Sequence, residues 1–393
     1  MDFNGIGRCY YQHDIETVGW GIGRGKYIES GSMMKESLKI SVVVATYNRR
    51  DTIAVTLQCL NEQTLDPSFF EVIVVDDGSP DDTEDVVRSL IPQMRYSLRY
   101  MKHANRGPGF TQNQGIRVAN APVVNLIADD IHLVPEALEA HLLAHERHPE
   151  QNIAILGRVE QSAQLAQSVF LKKWDPFKFR ELEGCDELPY YLFWACNISC
   201  KRDFLLSNGL FREERGKAGA AAHEDAELGY RLFKRAGLRI FYCKEALGYH
   251  YHLETLEGAM RRAYERGLNW HDFRALVDSP DVTVRYHILS VHTIKDHLDT
   301  FRGPNNLIGA DRNPAYLIVR QILRMVLFNR LTVCWFWLPM MRRAENGSIT
   351  SRLMHRNLYR GVIAYHFFKG VAHGYKTSHD RGHEKSAGEM PSS

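Results

Sequence analysis

Four short apolar runs, residues 40–45, 72–75, 98–101 and 123–128, punctuate the first third of the chain, and a polar cluster closes each one. Their starts lie roughly 25–30 residues apart, the spacing of strands joined by helical crossovers. The intervals carry helical signals. Ile53, Leu57 and Leu60 recur at the spacing of one helix face, and Pro135, Glu136, Leu138, Leu142 and Leu143 predict a helix with proline in its first turn. Strands that are apolar almost throughout are buried on both faces. The pattern therefore predicts an open α/β sheet flanked by helices, in the style of nucleotide-binding folds.

The pattern changes after residue 157. Residues 158–255 are less regular and rich in aromatics (Trp174, Phe177, Tyr190, Tyr191, Phe193, Trp194), and read as a continuation that covers the sheet edge and builds the second half of a cleft. Residues 256–310 read as helical, with Met260, Tyr264 and Leu268 near helical spacing. Four regions follow: a flexible leader over 1–37, a main domain over 38–255, a helical extension over 256–375 and a disordered polar tail over 376–393. The glycine-rich GWGIGRG at 19–25 has no strand ahead of it and reads as leader. Met33 and Met34 sit just ahead of the first strand, which leaves open whether residues 1–32 belong to the natural product.

Composition narrows the classes. Of 393 residues, 44% are hydrophobic and 24% charged, which fits a globular chain. With 49 Lys and Arg against 47 Asp and Glu, the net charge of +2 speaks against a nucleic-acid partner. The charge is uneven, since residues 311–393 hold 13 Lys and Arg against 5 Asp and Glu. Seven cysteines without a CxxC pair suit a reducing compartment and give no zinc framework. No secretory pattern occupies the first 36 residues and no apolar run reaches spanning length, so a cytoplasmic protein is expected. The apolar segment 314–345, punctuated by Arg320, Arg324 and Arg330 and carrying Trp335 and Trp337, has three readings, of which a kinked membrane span fits worst because arginines near its centre are costly. The other two are a helix packed on the main domain and a peripheral amphipathic helix on an anionic membrane surface.

The candidate chemistry follows the strands. In open α/β sheets ligands bind beyond the strands' carboxyl ends. There stand Thr46-Tyr47-Asn48, Asp76-Asp77-Gly78-Ser79, Asn105-Arg106-Gly107 and Asp129-Asp130. Each alone is ordinary turn chemistry; together they concentrate carboxylates at one edge. Adjacent carboxylates such as Asp129-Asp130 repel unless a cation neutralises them, and oxygen ligands favour Mg²⁺ or Mn²⁺.

These residues carry a resemblance. ISVVVATYNRRDTIAVTLQCLNEQ, EVIVVDDGSPDDT, NRGPGFTQNQGI, NLIADDIHLVPEAL, FWACNISCKRDFLLSNGLF and HEDAELGYRLFKRAG resemble a family 2 glycosyltransferase of GT-A fold, over roughly residues 38–255. The resemblance implies a metal-dependent inverting transferase that moves a sugar from a nucleoside diphosphate donor, a UDP-sugar favoured, to a hydroxyl of a glycan or lipid-linked acceptor. By position, Thr46, Asn48 and Asp77 would contact the donor nucleoside, with Asp76 nearby and Asp129 against ribose or sugar. Asp130 would hold Mn²⁺ or Mg²⁺, with His250 of GYHYH, or alternatively His252, as a further ligand. Glu224-Asp225 resembles the motif whose aspartate is the general base, while Trp194 and Asn197 fall on the acceptor side. Tyr191 and Phe193 also offer sugar-stacking faces, although packing is the commoner role of such rings.

Two positions depart from the family. Ala128 stands where the metal motif would begin, and Thr111-Gln112-Asn113 lacks an arginine that would contact the diphosphate; Arg106 is the substitute expected for it. These departures support an alternative, a non-catalytic nucleotide-sugar binding protein with a degenerate metal site. A nucleotidyltransferase would need a glycine-rich phosphate loop after the first strand, which ATYNRRD does not supply.

Overall fold

The computed structural model describes residues 37–165, 168–174, 179–185, 187–213, 223–277, 322–323, 325–345 and 354–387. The expectations for the leader (residues 1–36), for Phe177 and Arg324, and for residues 278–321 and 388–393 fall outside them.

The four apolar runs form β1 (Ile40–Thr46), β2 (Phe70–Asp76), β3 (Ser97–Lys102) and β4 (Val123–Ala128). They lie in the order β3-β2-β1-β4, all parallel. Helices α1 (Arg50–Asn61), α2 (Thr83–Leu90) and α3 (Pro108–Val118) make the crossovers. Ile53, Leu57 and Leu60 are fully buried, as their spacing predicts. At the strands' amino ends the buried Glu71 accepts hydrogen bonds from Ser41, Asn120 and Arg99, a satisfied polar knot remote from the carboxyl edge.

Residues 158–255 do not cover the sheet edge; they extend the sheet. Past β4 the chain forms β5 (Ile131–Leu133), helix α4 (Ala137–Arg147), β6 (Ile153–Gln161), the short α5 (Val169–Lys173) and β7 (Glu187–Leu188). Then come β8 (Asn197–Lys201), α6 (Arg202–Asn208), α7 (Glu224–Ala236) and β9 (Arg239–His250). The sheet continues from β4 through β8, β6 and β9 to β5. The new strands β8 and β6 lie inside the sheet, between β4 and β9, and are largely buried. Pro135 stands two residues ahead of α4 and not in its first turn. Beyond Asp129-Asp130, β5 pairs antiparallel with the end of β9, setting Ile131 opposite His250. That pairing returns a strand from 120 residues later to the acidic pair.

The extension begins with α8 (Leu256–Leu268) and α9 (Trp270–Leu276). Arg330–Thr332 runs through a π turn, Val333–Trp337, into Leu338–Glu345, together α10. The last helix, α11, is Arg356–Ala387 and continues into the stretch whose composition reads as tail. It packs tightly on α8 because glycines face each other there. A Cβ on Gly267 would collide with the Phe367 carbonyl, and one on Gly370 with the Tyr264 carbonyl. Gly370→Ala should therefore force the helices apart and cost about 1–3 kcal/mol, read as a lower urea midpoint; an unchanged midpoint would contradict this packing.

Candidate functional site

The acidic pair is buried at the carboxyl edge. Thr46 Oγ1, at the end of β1, donates to Asp129 Oδ2 at 2.7 Å, and Thr56 Oγ1 from α1 donates to the Asp129 carbonyl at 2.7 Å. Arg49 Nε stands 4.0 Å from Asp129 Oδ1. Burial, and then the neighbouring Asp130, push the Asp129 carboxyl up to about 7. Asp130 goes the other way. Burial alone would raise it, but a hydrogen bond from His250 and the charges of His250, Arg49 and His252 hold it below the usual carboxylate range. The two neighbours therefore divide their roles, one readily protonated and one a persistent anion.

Two imidazoles converge on that anion. His250 Nε2 lies 3.6 Å and His252 Nδ1 3.5 Å from Asp130 Oδ2, with the rings stacked at 5.5 Å. The Tyr251 N–H donates to the Asp130 carbonyl at 2.7 Å and fixes this approach. Burial pushes His252 down to about 4, which leaves it neutral with a lone pair to offer. Among the described residues no group of three His, Cys, Asp or Glu side chains is close enough to hold an ion by itself. Asp130 and its two imidazole neighbours therefore supply one carboxylate and two nitrogen donors without closing an ion site.

A third carboxylate belongs to the same pocket. Asp225 lies in the first turn of α7, where the helix dipole favours an anion. Its Oδ2 accepts the Ala195 N–H at 3.1 Å, yet burial dominates and pushes the carboxyl up to about 6. The thiol of the next residue, Cys196, is raised by burial and then by the charges of Asp225 and Asp130. The Cys196 carbonyl accepts the Ala128 N–H at 3.2 Å. The start of β8 thus ties the acidic pair to Asp225. From the other side His223, with φ +67°, caps α7, stacks on Phe273 at 4.5 Å and meets the Arg266 carbonyl through Nε2 at 3.2 Å.

The remaining expected residues separate into those at the cleft and those beneath it. Asn48 is exposed at a left-handed turn (φ +55°), its N–H donating to Ser79 Oγ at 2.8 Å. Arg106 is exposed, its guanidinium 3.8 Å from the Phe110 ring centre. Asp77 accepts the Arg106 N–H at 2.6 Å, the Gly107 N–H at 2.9 Å and the Asn105 side-chain amide at 3.0 Å, so it shapes the loop that carries Arg106. Asp76 is fully buried and engages Ser79 N–H and Tyr100 O–H, at 2.7 and 2.6 Å. Glu224 opens α7 half-buried, and Trp194 is half-buried with Phe179 edge-on at 5.5 Å. Asn113 ties α3 to Phe211 through two backbone bonds, and the Gln112 Oε1 beside it is buried without a partner among the described residues.

Asn197 departs from the acceptor-side expectation. It is fully buried, and its amide donates to the Ala246 carbonyl at 2.8 Å while its oxygen faces His141 Nε2 at 3.0 Å. That oxygen can only accept, so His141 carries its proton on Nε2 and receives Ser199 O–H on Nδ1, at 2.9 Å. Ser199 Oγ in turn accepts from His145 Nε2 at 2.9 Å. This neutral chain of bonds pins β8 to α4 under the site. The two histidines, four residues apart in an apolar helix, were the available signal. Arg49 was equally legible beside Asn48.

The model of glycosyl transferase family 2 matches residues 41–205. Validoxylamine A glucosyltransferase of Streptomyces hygroscopicus subsp. limoneus is 29% identical over 234 residues, covering 53% of this chain and 51% of its own. Glucosyl-dolichyl phosphate glucuronosyltransferase of Haloferax volcanii is 28% identical over 221 residues, covering 53% of this chain and 68% of its own. The mannosyltransferase PcManGT from Pyrobaculum calidifontis, solved with GDP-Man and Mn2+, superposes with a TM-score of 0.48 at 16% identity, over 83% of this chain and 85% of that one. Residues 41–205 are thus similar to glycosyl transferase family 2, and the fold is a mixed open sheet flanked by helices with a helical C-terminal region. It spans about half the length of the validoxylamine A glucosyltransferases that it matches.

Burial pushes His141 and His145 down to about 4 and about 3. In the unfolded chain a histidine takes its proton near 6.5. Below that pH the unfolded state binds more protons, so the stability these groups contribute is present above about 6.5 and lost as pH falls toward about 4. His145→Leu keeps the Ser199–His141 bond. It should gain on the wild type by roughly 1.4 kcal/mol per pH unit on acidification through that window; a constant difference from pH 7 to 4.5 in urea unfolding would refute this.

Proposed function

We propose that this chain transfers a sugar, with inversion, from a nucleoside diphosphate donor to a hydroxyl of a glycan or lipid-linked acceptor. The observation that carries the reading is Asp225: a half-buried carboxylate raised to about 6, at a helix start, tied through the backbone of residues 195 and 196 to the strand end that carries Asp129-Asp130. Relatives named for glucosyl and glucuronosyl transfer support a hexose-type sugar, and the glucosyl-dolichyl phosphate in one name supports a lipid-linked acceptor. UDP is the donor nucleotide to test first.

Asp225 takes the proton from the acceptor hydroxyl as that oxygen attacks the anomeric carbon, and the diphosphate leaves from the opposite face. The Ala195 N–H holds the receiving carboxylate in place. Arg49 and the exposed Arg106 are the cations available to the departing phosphates. A divalent ion, Mn²⁺ or Mg²⁺, would be held by Asp130 with His250 and His252, and would neutralise charge on the diphosphate. The alternative, donor binding without turnover, draws on Ala128 and the unpartnered Gln112.

Thermal unfolding with UDP, GDP, dTDP and CMP, each with and without Mn²⁺, separates these readings. One nucleotide at 100 times its dissociation constant should add about 2.7 kcal/mol and raise the midpoint by a few degrees. Loss of that shift in Asp130→Ala supports the metal assignment, and no shift with any nucleotide overturns the donor reading.

Asp225→Asn should lower turnover by about 10²–10⁴-fold, and the wild-type rate should rise with pH through about 6 as the base ionises. A raised folded-state pKa makes the ionised form a cost to the fold, lost only as pH falls below about 6. The same variant should therefore unfold a few degrees higher than wild type near pH 7.5, and that advantage should vanish toward pH 4. Donor binding with unchanged turnover in Asp225→Asn would remove the base assignment.

A further inference from the structure

Helix α10 is apolar on two opposite faces, and the fold uses only one. Val333, Met341 and Ala344 are fully buried against the core that holds Tyr359 and Val362. Trp337 Nε1 donates to the Leu327 carbonyl at 2.6 Å and its ring stacks on Phe328, which in turn lies against Gly361 of α11. The helix is therefore firmly seated. Its π turn, Val333–Trp337, inserts an extra residue into the helical round and directs Trp335 and Phe336 away from the seated face. Trp335 is 81% exposed, Leu331 69% and Phe336 56%, and Met325 and Val326 just ahead of the helix are exposed as well. Lone exposed apolar residues are ordinary, but a cluster of this size on one ridge marks a contact surface.

The charges around the ridge indicate the partner. Arg330, Arg342 and Arg343 are exposed on α10. Its single carboxylate, Glu345, is turned inward and accepts the N–H groups of Val169 and Phe170 and the Tyr359 hydroxyl. Arg342 pairs with Glu257 of α8 at 3.2 Å. Residues 311–393 as a whole are basic, with 13 Lys and Arg against 5 Asp and Glu. Among the described residues no helix is long and apolar enough to cross a membrane, so the ridge suits a surface and not a span. Trp and Phe at its crest with arginines beside them match the boundary between acyl chains and anionic headgroups. A second copy docked on the same face would set arginines against arginines.

We infer that the α10 ridge, Leu331, Trp335 and Phe336 flanked by Arg330 and Arg343, docks this protein on an anionic lipid bilayer. The apolar crest enters roughly 5–10 Å, to the headgroup boundary. The same helical extension contributes Arg266 and Phe273 to the seat of His223 at α7.

The full chain is tested by co-sedimentation with phosphatidylcholine vesicles, with and without roughly one-third phosphatidylglycerol. No donor or turnover is involved, so this inference stands or falls apart from the transferase reading. Binding to the mixed vesicles should weaken with salt and fall at least about tenfold in Trp335→Ser/Phe336→Ser. Arg330→Ala/Arg343→Ala should erase the preference for anionic lipid. The exchanged residues are exposed, so thermal midpoints should match the wild type; should the aromatic pair disturb folding, Leu331→Ser supplies the same reading. Absence of binding to mixed vesicles, or equal binding by the aromatic variants, would overturn the inference. So would a wild-type dimer that Trp335→Ser/Phe336→Ser converts to monomer, which would assign the ridge to a second copy.

Discussion

The site depends on the direction of one strand. β8 runs antiparallel to β4, so its first residues arrive exactly where β4 ends its run. One carbonyl there, from Cys196, accepts the Ala128 N–H just ahead of the acidic pair, and one N–H, from Ala195, donates to the Asp225 carboxylate. Hydrogen bonds are short and directional, so these two fix the acidic residues relative to each other. The buried chain from Asn197 through His141 and Ser199 to His145 holds that strand start from below. None of these groups needs charge to do so.

Such rigidity allows three carboxyl groups to share a pocket in unlike states. Asp129 is raised by burial and by its neighbour, Asp130 is held down by imidazoles and Arg49, and Asp225 is raised by burial with one N–H in opposition. Similar side chains thus differ by their neighbours: one carboxyl raised to about 7, one held as an anion, and one raised to about 6. The fold contributes the neighbours. β5 brings the histidines to Asp130, while α7 and β8 isolate Asp225.

The sheet was legible where strand and helix periods alternate, from Ile40 to Ala128, because burial on both faces leaves few polar interruptions. The later strands were not, since β6, β8 and β9 mix orientations and are separated by irregular turns that carry no fixed spacing. Motif order singled out Asp129, Asp130, Asp225 and His250. It did not separate side chains that face the cleft from those that shape it. Asp76 and Asn197 sit inside motifs because Ser79, Tyr100, His141 and Ala246 need their hydrogen bonds, and a pattern records identity without direction. Pairing Asp130 with both His250 and His252 required the β5–β9 register, which no local signal encodes.

The seat of His223 has a consequence for where this protein divides. The sequence suggests a boundary at residue 255, and the stretch similar to the family ends at 205. Yet the helix that carries Asp225 begins at a residue stacked on Phe273 and bonded to Arg266, and α8 is itself locked to α11 by paired glycines. A cut at 205 would remove Asp225 and β9 outright, and a cut at 255 would keep the sheet and its acidic pair but release the anchorage of Asp225. The smallest autonomous unit is therefore longer than the unit of sequence kinship, and the helices after β9 belong to the working core.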